Sequence, residues 1–127
     1  TCVWWGNGKL WNFWTRKGIR MSKFYIIGKI SRDLAKRMQS DPDADRGAAI
    51  KAICDTVGVK FHSYEWVRGR FDVINVIEGD YESVLGMKVA IMNAGLMEDI
   101  MIHEVFDYNK TFNKAAEAGK NFKKPGE

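Results

Sequence analysis

The sequence has little cysteine, little proline and no long apolar run. Its two cysteines, Cys2 and Cys54, are too few for the disulfide framework of a small secreted protein. No apolar stretch approaches the roughly 18 residues that a membrane-spanning helix needs. At 46% hydrophobic and 28% charged residues, the 127-residue chain has the composition of one globular domain. We therefore expect a cytoplasmic protein that binds no membrane.

Motifs for nucleotide binding, hydrolysis and metal binding are also lacking. The sequence contains no G-x-G-x-x-G, no phosphate-binding P-loop, no G-x-S-x-G and no H-E-x-x-H. The acids of segment 41–45 resemble a calcium loop, but a proline stands among them and no loop glycine or closing glutamate is in register. His62 and His103 have no cysteine or acidic pair at ligand spacing. We predict neither a metal nor a cofactor.

The net charge of +4 is confined to the N-terminal segment. Residues 1–20 contain four bases and no acid, so the remaining residues carry sixteen bases and sixteen acids. A domain without net charge lacks the positive footprint with which proteins bind a phosphate backbone. We therefore predict no nucleic-acid partner.

The N-terminal segment 1–20 differs in kind from the rest and holds four of the five tryptophans. Its longest apolar run, of three residues, is too short for a secretory signal. Two interpretations stay open: an arm that binds membrane or nucleic acid through tryptophan and basic residues, and translated upstream DNA. We favour the second, because Lys17-Gly18 can be encoded by a prokaryotic ribosome-binding sequence just before Met21. The expected organisation is extension 1–20, domain 21–119 and polar tail 120–127.

Hydrophobic patterning of the domain predicts alternating strands and helices. Strands are expected at 23–30, 59–67, 71–78 and 97–106, and one or two helical turns at 31–40. Ser40-Asp41-Pro42-Asp43 is interpreted as the start of a helix that ends at Gly58. A second helix covers 81–94, and a last one at 108–119 would pack through Phe112 and Ala116. The order β-α-β-β-α-β predicts an α+β, ferredoxin-like fold with a four-stranded antiparallel sheet.

The first and third strands are expected at the centre of this sheet, since both are apolar on both faces. Two helices cover only one face, which leaves apolar residues of the third strand exposed on the other. These are either Ile74 and Val76 or Val73 and Ile77. A large apolar patch in water is sticky, so we predict that two copies pair sheet to sheet as a homodimer.

The segment 58–73, GVKFHSYEWVRGRFDV, resembles the GYD domain family, which is named for a Gly-Tyr-Asp motif and belongs to the dimeric α/β-barrel group. The motif falls at Gly69, Phe71 and Asp72, and the resemblance covers about residues 23–106. It implies the ferredoxin-like fold and pairing into a dimeric α/β barrel. Because Phe71 replaces the usual tyrosine, no phenol hydroxyl is present there. The family has no settled activity, so the resemblance implies no reaction.

Several side chains around this motif are candidate site residues. Alternation along the second strand predicts that His62, Tyr64 and Trp66 share one face, which would line the barrel with polar tips and apolar bodies. Asp72 is either a general acid or base, or a hairpin carboxylate that accepts backbone N–H groups or pairs with Arg68 or Arg70. Gly69 is expected to adopt positive φ.

Two side-chain types near the candidate site are interpreted as packing residues. Cys54 falls on an apolar helical stripe and is interpreted as a buried hydrophobe. The methionines are interpreted as core and interface filling.

Two functions follow as hypotheses. The first is a dimeric binding or assembly module without catalysis, which uses the open sheet face. The alternative is a small cofactor-independent enzyme, similar to monooxygenases or isomerases, acting on a small apolar ligand in the barrel. Its catalytic candidates are His62 and Asp72, with Tyr64, Trp66 and Arg68 binding the ligand. An enzyme of this kind needs a cavity of about 300 Å³ or more with convergent polar groups.

Overall fold

A computed structural model of the protein describes residues 20–122. The predictions for the tryptophan-rich segment 1–19 and for tail residues 123–127 lie outside the described residues. Within residues 20–122, no helix is long and apolar enough to cross a membrane.

The described residues form four strands and four helices. In chain order these are β1 (Ser22–Ile30), α1 (Arg32–Ser40), α2 (Arg46–Val57), β2 (Lys60–Trp66), β3 (Val73–Gly79), α3 (Tyr81–Asn93), β4 (Met97–Glu104) and α4 (Tyr108–Gly119). The strands make one antiparallel sheet in the order β2-β3-β1-β4. The predicted α+β, ferredoxin-like fold is confirmed, and β1 and β3 are the central strands.

The core lies between the sheet and helices α2 and α3. Along β3, buried and half-buried residues alternate, so Val73, Asn75 and Ile77 face the helices. Phe24 of β1 and Cys54 of α2 are fully buried beside Ile77. Alternation along a strand therefore places Ile74 and Val76 on the face that the helices leave open, which settles the choice that the sequence left undecided.

The start of α2 differs from the prediction at Ser40–Asp43. The helix begins at Arg46, and the side chain of Asp45 caps it by accepting the Ala48 N–H at 3.0 Å. Asp41 instead ends α1, where its N–H donates to the Arg37 carbonyl at 2.9 Å. Because α1 extends to Ser40, the acidic segment is used to turn the chain between two helices.

A register shift in β2 overturns the predicted common face of His62, Tyr64 and Trp66. Phe61 pairs with Ile77, but Ser63, not His62, pairs with Val76. The extra residue reverses the alternation, as a β-bulge does. Tyr64 and Trp66 therefore lie on the helix side, opposite Asn75 and Val73. His62 is separated from them by the bulge.

Helix α4 forms where it was predicted, but its predicted packing is wrong. All of its residues are exposed, and Phe112 is 50% exposed. The rings of Tyr108 and Phe112 stack on each other with centroids 4.4 Å apart. The helix thus carries an uncovered aromatic stripe, and neither buried core cluster includes any of its residues.

Candidate functional site

Asp72 joins the end of the β2–β3 loop to the central strand β1. Its carboxylate Oδ2 accepts the Ile30 N–H at 3.0 Å. Its own N–H donates to the Gly28 carbonyl, and its carbonyl accepts the Val67 N–H, both at 2.9 Å. Of the two roles considered for Asp72, the structure thus shows a carboxylate bound to a backbone N–H. That N–H belongs to β1, at a register shift against β4, and not to the hairpin itself.

The loop before Asp72 requires a glycine at Gly69, which has a φ of 153°. This is the positive φ expected from the sequence. The neighbouring Arg68 and Arg70 are exposed, and the guanidinium of Arg70 lies 5.9 Å from the ring centroid of Phe71. Neither arginine forms an ion pair with Asp72 within residues 20–122.

His62 lies at the edge of the sheet, away from the other candidates. Its Nε2 is 3.0 Å from Oε1 of Glu78 on the neighbouring strand β3. His103 lies on β4, the opposite edge, as the strand order requires. No group of three or more His, Cys, Asp or Glu side chains in the described part of the chain could hold a metal ion.

Tyr64 and Trp66 line an open groove of about 490 Å³ beside the turn between α1 and α2. Their rings meet edge to face, with centroids 5.8 Å apart. Burial raises the pKa of the Tyr64 hydroxyl, and the nearby positive charge of Arg46 opposes that shift. Arg46, at the start of α2, therefore lies close enough to Tyr64 to act on it electrostatically.

A small cavity of about 40 Å³ lies deeper, between the sheet and helices α2 and α3. Its walls are almost entirely apolar, and Tyr64 contributes to both this cavity and the groove. Asn75 also lines it and is only 5% exposed. Sequence reasoning missed Asn75; a lone amide within the apolar run VINVI was the available signal.

The five predicted site residues therefore do not converge on one site. Tyr64 and Trp66 form the groove on the helix side, His62 lies at the sheet edge, and Arg68 and Asp72 belong to the β2–β3 loop.

The buried thiol of Cys54 is not a candidate nucleophile. Burial raises the pKa of Cys54 to about 11, with Asp55 adding to the shift. A thiol with this pKa is almost wholly protonated at neutral pH and is a poor nucleophile.

The model of the GYD domain matches residues 24–116, well over half of the chain. The chain belongs to the GYD domain family. No curated protein and no solved structure matches it. In this GYD domain, the two ends of the signature are explained by backbone geometry: Gly69 supplies positive φ and Asp72 binds the backbone of β1. The match begins at the third residue of β1 and ends within α4, so it includes parts or all of the four strands.

Proposed function

We propose that this GYD domain is a cytoplasmic binding and assembly module that works as a homodimer paired through the open face of its sheet. The observation that carries the proposal is a continuous apolar patch across three strands. Ile27 pairs with Ile74 on one side and with Met101 on the other, and Tyr25 pairs with Val76. Direct cross-strand partners lie on the same face, so these side chains are neighbours.

The patch occupies the middle of a sheet face whose size matches the largest apolar patches that single domains expose. Four strands about 4.8 Å apart, each with about six residues at about 3.4 Å, give a face of roughly 15–20 Å by 20 Å. Tyr25 is 40% exposed at its centre, while Ile27, Ile74 and Val76 are only half-buried by their neighbours. Contiguous apolar surface of this extent commonly marks an interaction site.

The charges around the patch favour a second copy as the partner. Lys29 pairs with Asp99 at one end of the central strands, and Lys23 pairs with Glu78 at the other. Bases and acids thus alternate on the same face, so a copy related by a two-fold axis can place opposite charges against each other. A partner with charge of a single sign would gain no such match.

The proposal is tested by Val76→Asp in the full chain, with Val89→Asp as the matched control. Val76 lies on the open face, whereas Val89 is 56% exposed on helix α3, away from that face. An aspartate buried between two sheets would be unpaired and costs several kcal/mol. Native mass spectrometry should show a dimer for the wild type and for Val89→Asp, and a monomer for Val76→Asp.

Two outcomes would contradict the proposal. One is a wild-type chain that remains monomeric at micromolar concentration. The other is a Val76→Asp variant that is as dimeric as Val89→Asp. Circular dichroism of both variants shows that a loss of dimer is not a loss of fold.

A further inference from the structure

Helix α4 covers no part of the core of its own chain. It has 12 residues, and the side chain of Asp107 caps its start by accepting the Lys110 N–H at 2.9 Å. All of its residues are exposed, and neither core cluster contains any of them. An isolated helix of about 12 residues is only marginally stable in water, because most helical stability in proteins comes from the packing of an amphipathic face. The aromatic stripe of α4 is therefore a surface that calls for a partner outside residues 20–122.

One side of α4 has the spacing of a seam between two helices. We define the α4 seam as four positions on one face, separated by four, three and four residues: Tyr108, Phe112, Ala115 and Gly119. An antiparallel second copy places Tyr108 opposite Gly119, and Phe112 opposite Ala115, so that each pair joins a large side chain to a small residue. A parallel copy would instead oppose the two tyrosines and the two phenylalanines, and would leave the small residues facing each other across a gap. The seam is thus self-complementary in the antiparallel direction.

The charges of α4 lie away from the seam. Lys110, Lys114 and Glu117 lie about 130–170° from it around the helix axis. The positions beside the seam carry uncharged side chains: Asn109, Thr111, Ala116 and Ala118. Two copies can therefore close on each other without burying an unpaired charge. A lipid surface suits the seam less, since alanine and glycine offer it little apolar area but allow another helix to approach closely.

Helix α4 begins at the rim of the open sheet face. The Val105 N–H donates to the Lys23 carbonyl at 2.8 Å, which continues the pairing of β4 with β1 by one residue. Val105 thus lies opposite Lys23 on the open face, and it is 47% exposed. The helix starts three residues later, at Tyr108. The α4 seam and the open face are therefore neighbouring surfaces.

The open face alone is small for a stable dimer. A face of roughly 15–20 Å by 20 Å buries about 600–800 Å² when two copies pair across it, whereas stable specific interfaces bury about 1,200–2,000 Å² in total. Tyr108 and Phe112 are 64% and 50% exposed. Since an aromatic side chain buries about 150–250 Å², these rings add roughly 400 Å² over two copies. Both surfaces together approach the area that a stable dimer needs, and neither surface alone does.

We propose that the two α4 helices of the homodimer pair antiparallel along the α4 seam and form a second contact beside the paired sheets. Phe112 of each copy packs against Ala115 of the other, and Tyr108 packs against Gly119. The inference rests on the proposed dimer through the open face, and it supplies a partner for a helix that the sheets leave uncovered. The sheet face provides most of the buried area, and the helix pair tightens the dimer.

Disulfide crosslinking tests the direction of pairing. Tyr108→Cys and Gly119→Cys are made as separate full chains in a Cys2→Ser background, and each is oxidised alone and after mixing. An added Cβ at Gly119 meets no atom within 4 Å, so this change is tolerated. Antiparallel pairing places positions 108 and 119 opposite each other, whereas two copies of position 108 lie about 16 Å apart along the axis, too far for a disulfide. We expect a crosslinked dimer in the mixture and not in either chain alone.

The affinity of the dimer tests the contribution of the seam. Phe112→Glu places a charge in the seam, whereas the matched control Asn113→Glu places the same charge on the far side of α4. Both positions lie outside the core clusters, so both variants should retain the circular dichroism of the wild type. Because a two-fold dimer contains each change twice, Phe112→Glu should raise the dimer Kd by about tenfold or more in analytical ultracentrifugation, and Asn113→Glu by less than about threefold.

Three results would overturn the inference. The first is the absence of a crosslink in the mixture, which refutes the helix pair alone if the wild type is still a dimer. The second is a crosslink in Tyr108→Cys alone, which would mean parallel pairing. The third is an unchanged dimer Kd in Phe112→Glu, including the case in which this variant instead loses binding to phosphatidylglycerol vesicles. A Val76→Asp variant that stays dimeric and still permits the crosslink would refute pairing through the open face and leave the α4 pair standing.

Discussion

Replacement of Asp72 by alanine should destabilise the domain without disturbing any other side chain. The carboxylate accepts the Ile30 N–H at 3.0 Å, where the pairing of β1 with β4 shifts register. Alanine leaves that N–H without its acceptor, which costs about 1–3 kcal/mol when the group is buried. Because Asp72 is only half-buried, water replaces part of the bond, so we expect the lower half of this range. For a domain of about 100 residues this lowers Tm by roughly 4–12 °C.

The comparison with Asp72→Asn separates a structural role from acid–base chemistry. Asparagine retains an oxygen that can accept the Ile30 N–H, so it should recover at least half of the lost free energy of unfolding. Asp43→Ala is the matched control, since Asp43 is exposed in the turn between α1 and α2 and should change stability by less than about 0.5 kcal/mol. Urea unfolding of the three variants gives the free energies.

Hydrogen exchange at one amide gives the local counterpart. The Ile30 N–H should exchange faster in Asp72→Ala than in the wild type, by more than the global loss of stability explains. The reasoning would be refuted if Asp72→Ala were as stable as Asp43→Ala, or if the Ile30 amide were equally protected in both. Either result would return Asp72 to consideration as a chemical group.

The remaining predictions concern the backbone and the thiol of Cys54. Gly69→Ala should lower the free energy of unfolding by about 1–3 kcal/mol, because φ is 153° at this position, although an added Cβ would meet no atom within 4 Å. Gly86→Ala, which is equally unobstructed but lies in helix α3, should raise the free energy of unfolding by about 0.5–1 kcal/mol. Thermal unfolding measures both changes. The pKa of Cys54 is raised to about 11 in the folded chain, so its thiol should react with iodoacetamide at pH 8 about 100-fold more slowly there than in urea. Mass spectrometry of the peptide that contains Cys54 measures both rates. The same shift predicts that stability falls as pH rises above about 9, since the unfolded chain then releases a proton that the folded chain retains. Equal alkylation rates in buffer and in urea would contradict the burial of Cys54.

The sequence predicted those features of the fold that depend on hydrophobic periodicity. Apolar residues on both faces of β1 and β3 identified the central strands. It misplaced the start of α2, because an acid before a proline caps a helix and ends one equally well. Asp45 and Asp41 divide those two tasks in the structure.

The candidate site was harder to predict, since it depends on where alternation breaks. Nothing in the letters KFHSYEW indicates that His62 is the extra residue of a bulge. Likewise, the partner of Asp72 is 42 residues away on β1, a distance in sequence that no local pattern reveals. Burial of Asn75 was predictable from its neighbours, but its hydrogen-bond partner was not, because the amide donates to the Ser63 carbonyl beside the bulge.

The bulge at His62 assigns different tasks to the two faces of the sheet. Without it, strict alternation would place Tyr64 and Trp66 on the open face with Ile74 and Val76, where they would extend the proposed pairing surface. With it, both aromatic rings turn to the helices, and Tyr64 comes opposite Asn75 at the cavity. The residue left on the other side is His62, whose Nε2 binds Glu78 at the rim of the open face. One inserted residue thus keeps the open face free of the aromatic side chains that line the groove, so the two faces of the same four strands carry different sets of residues.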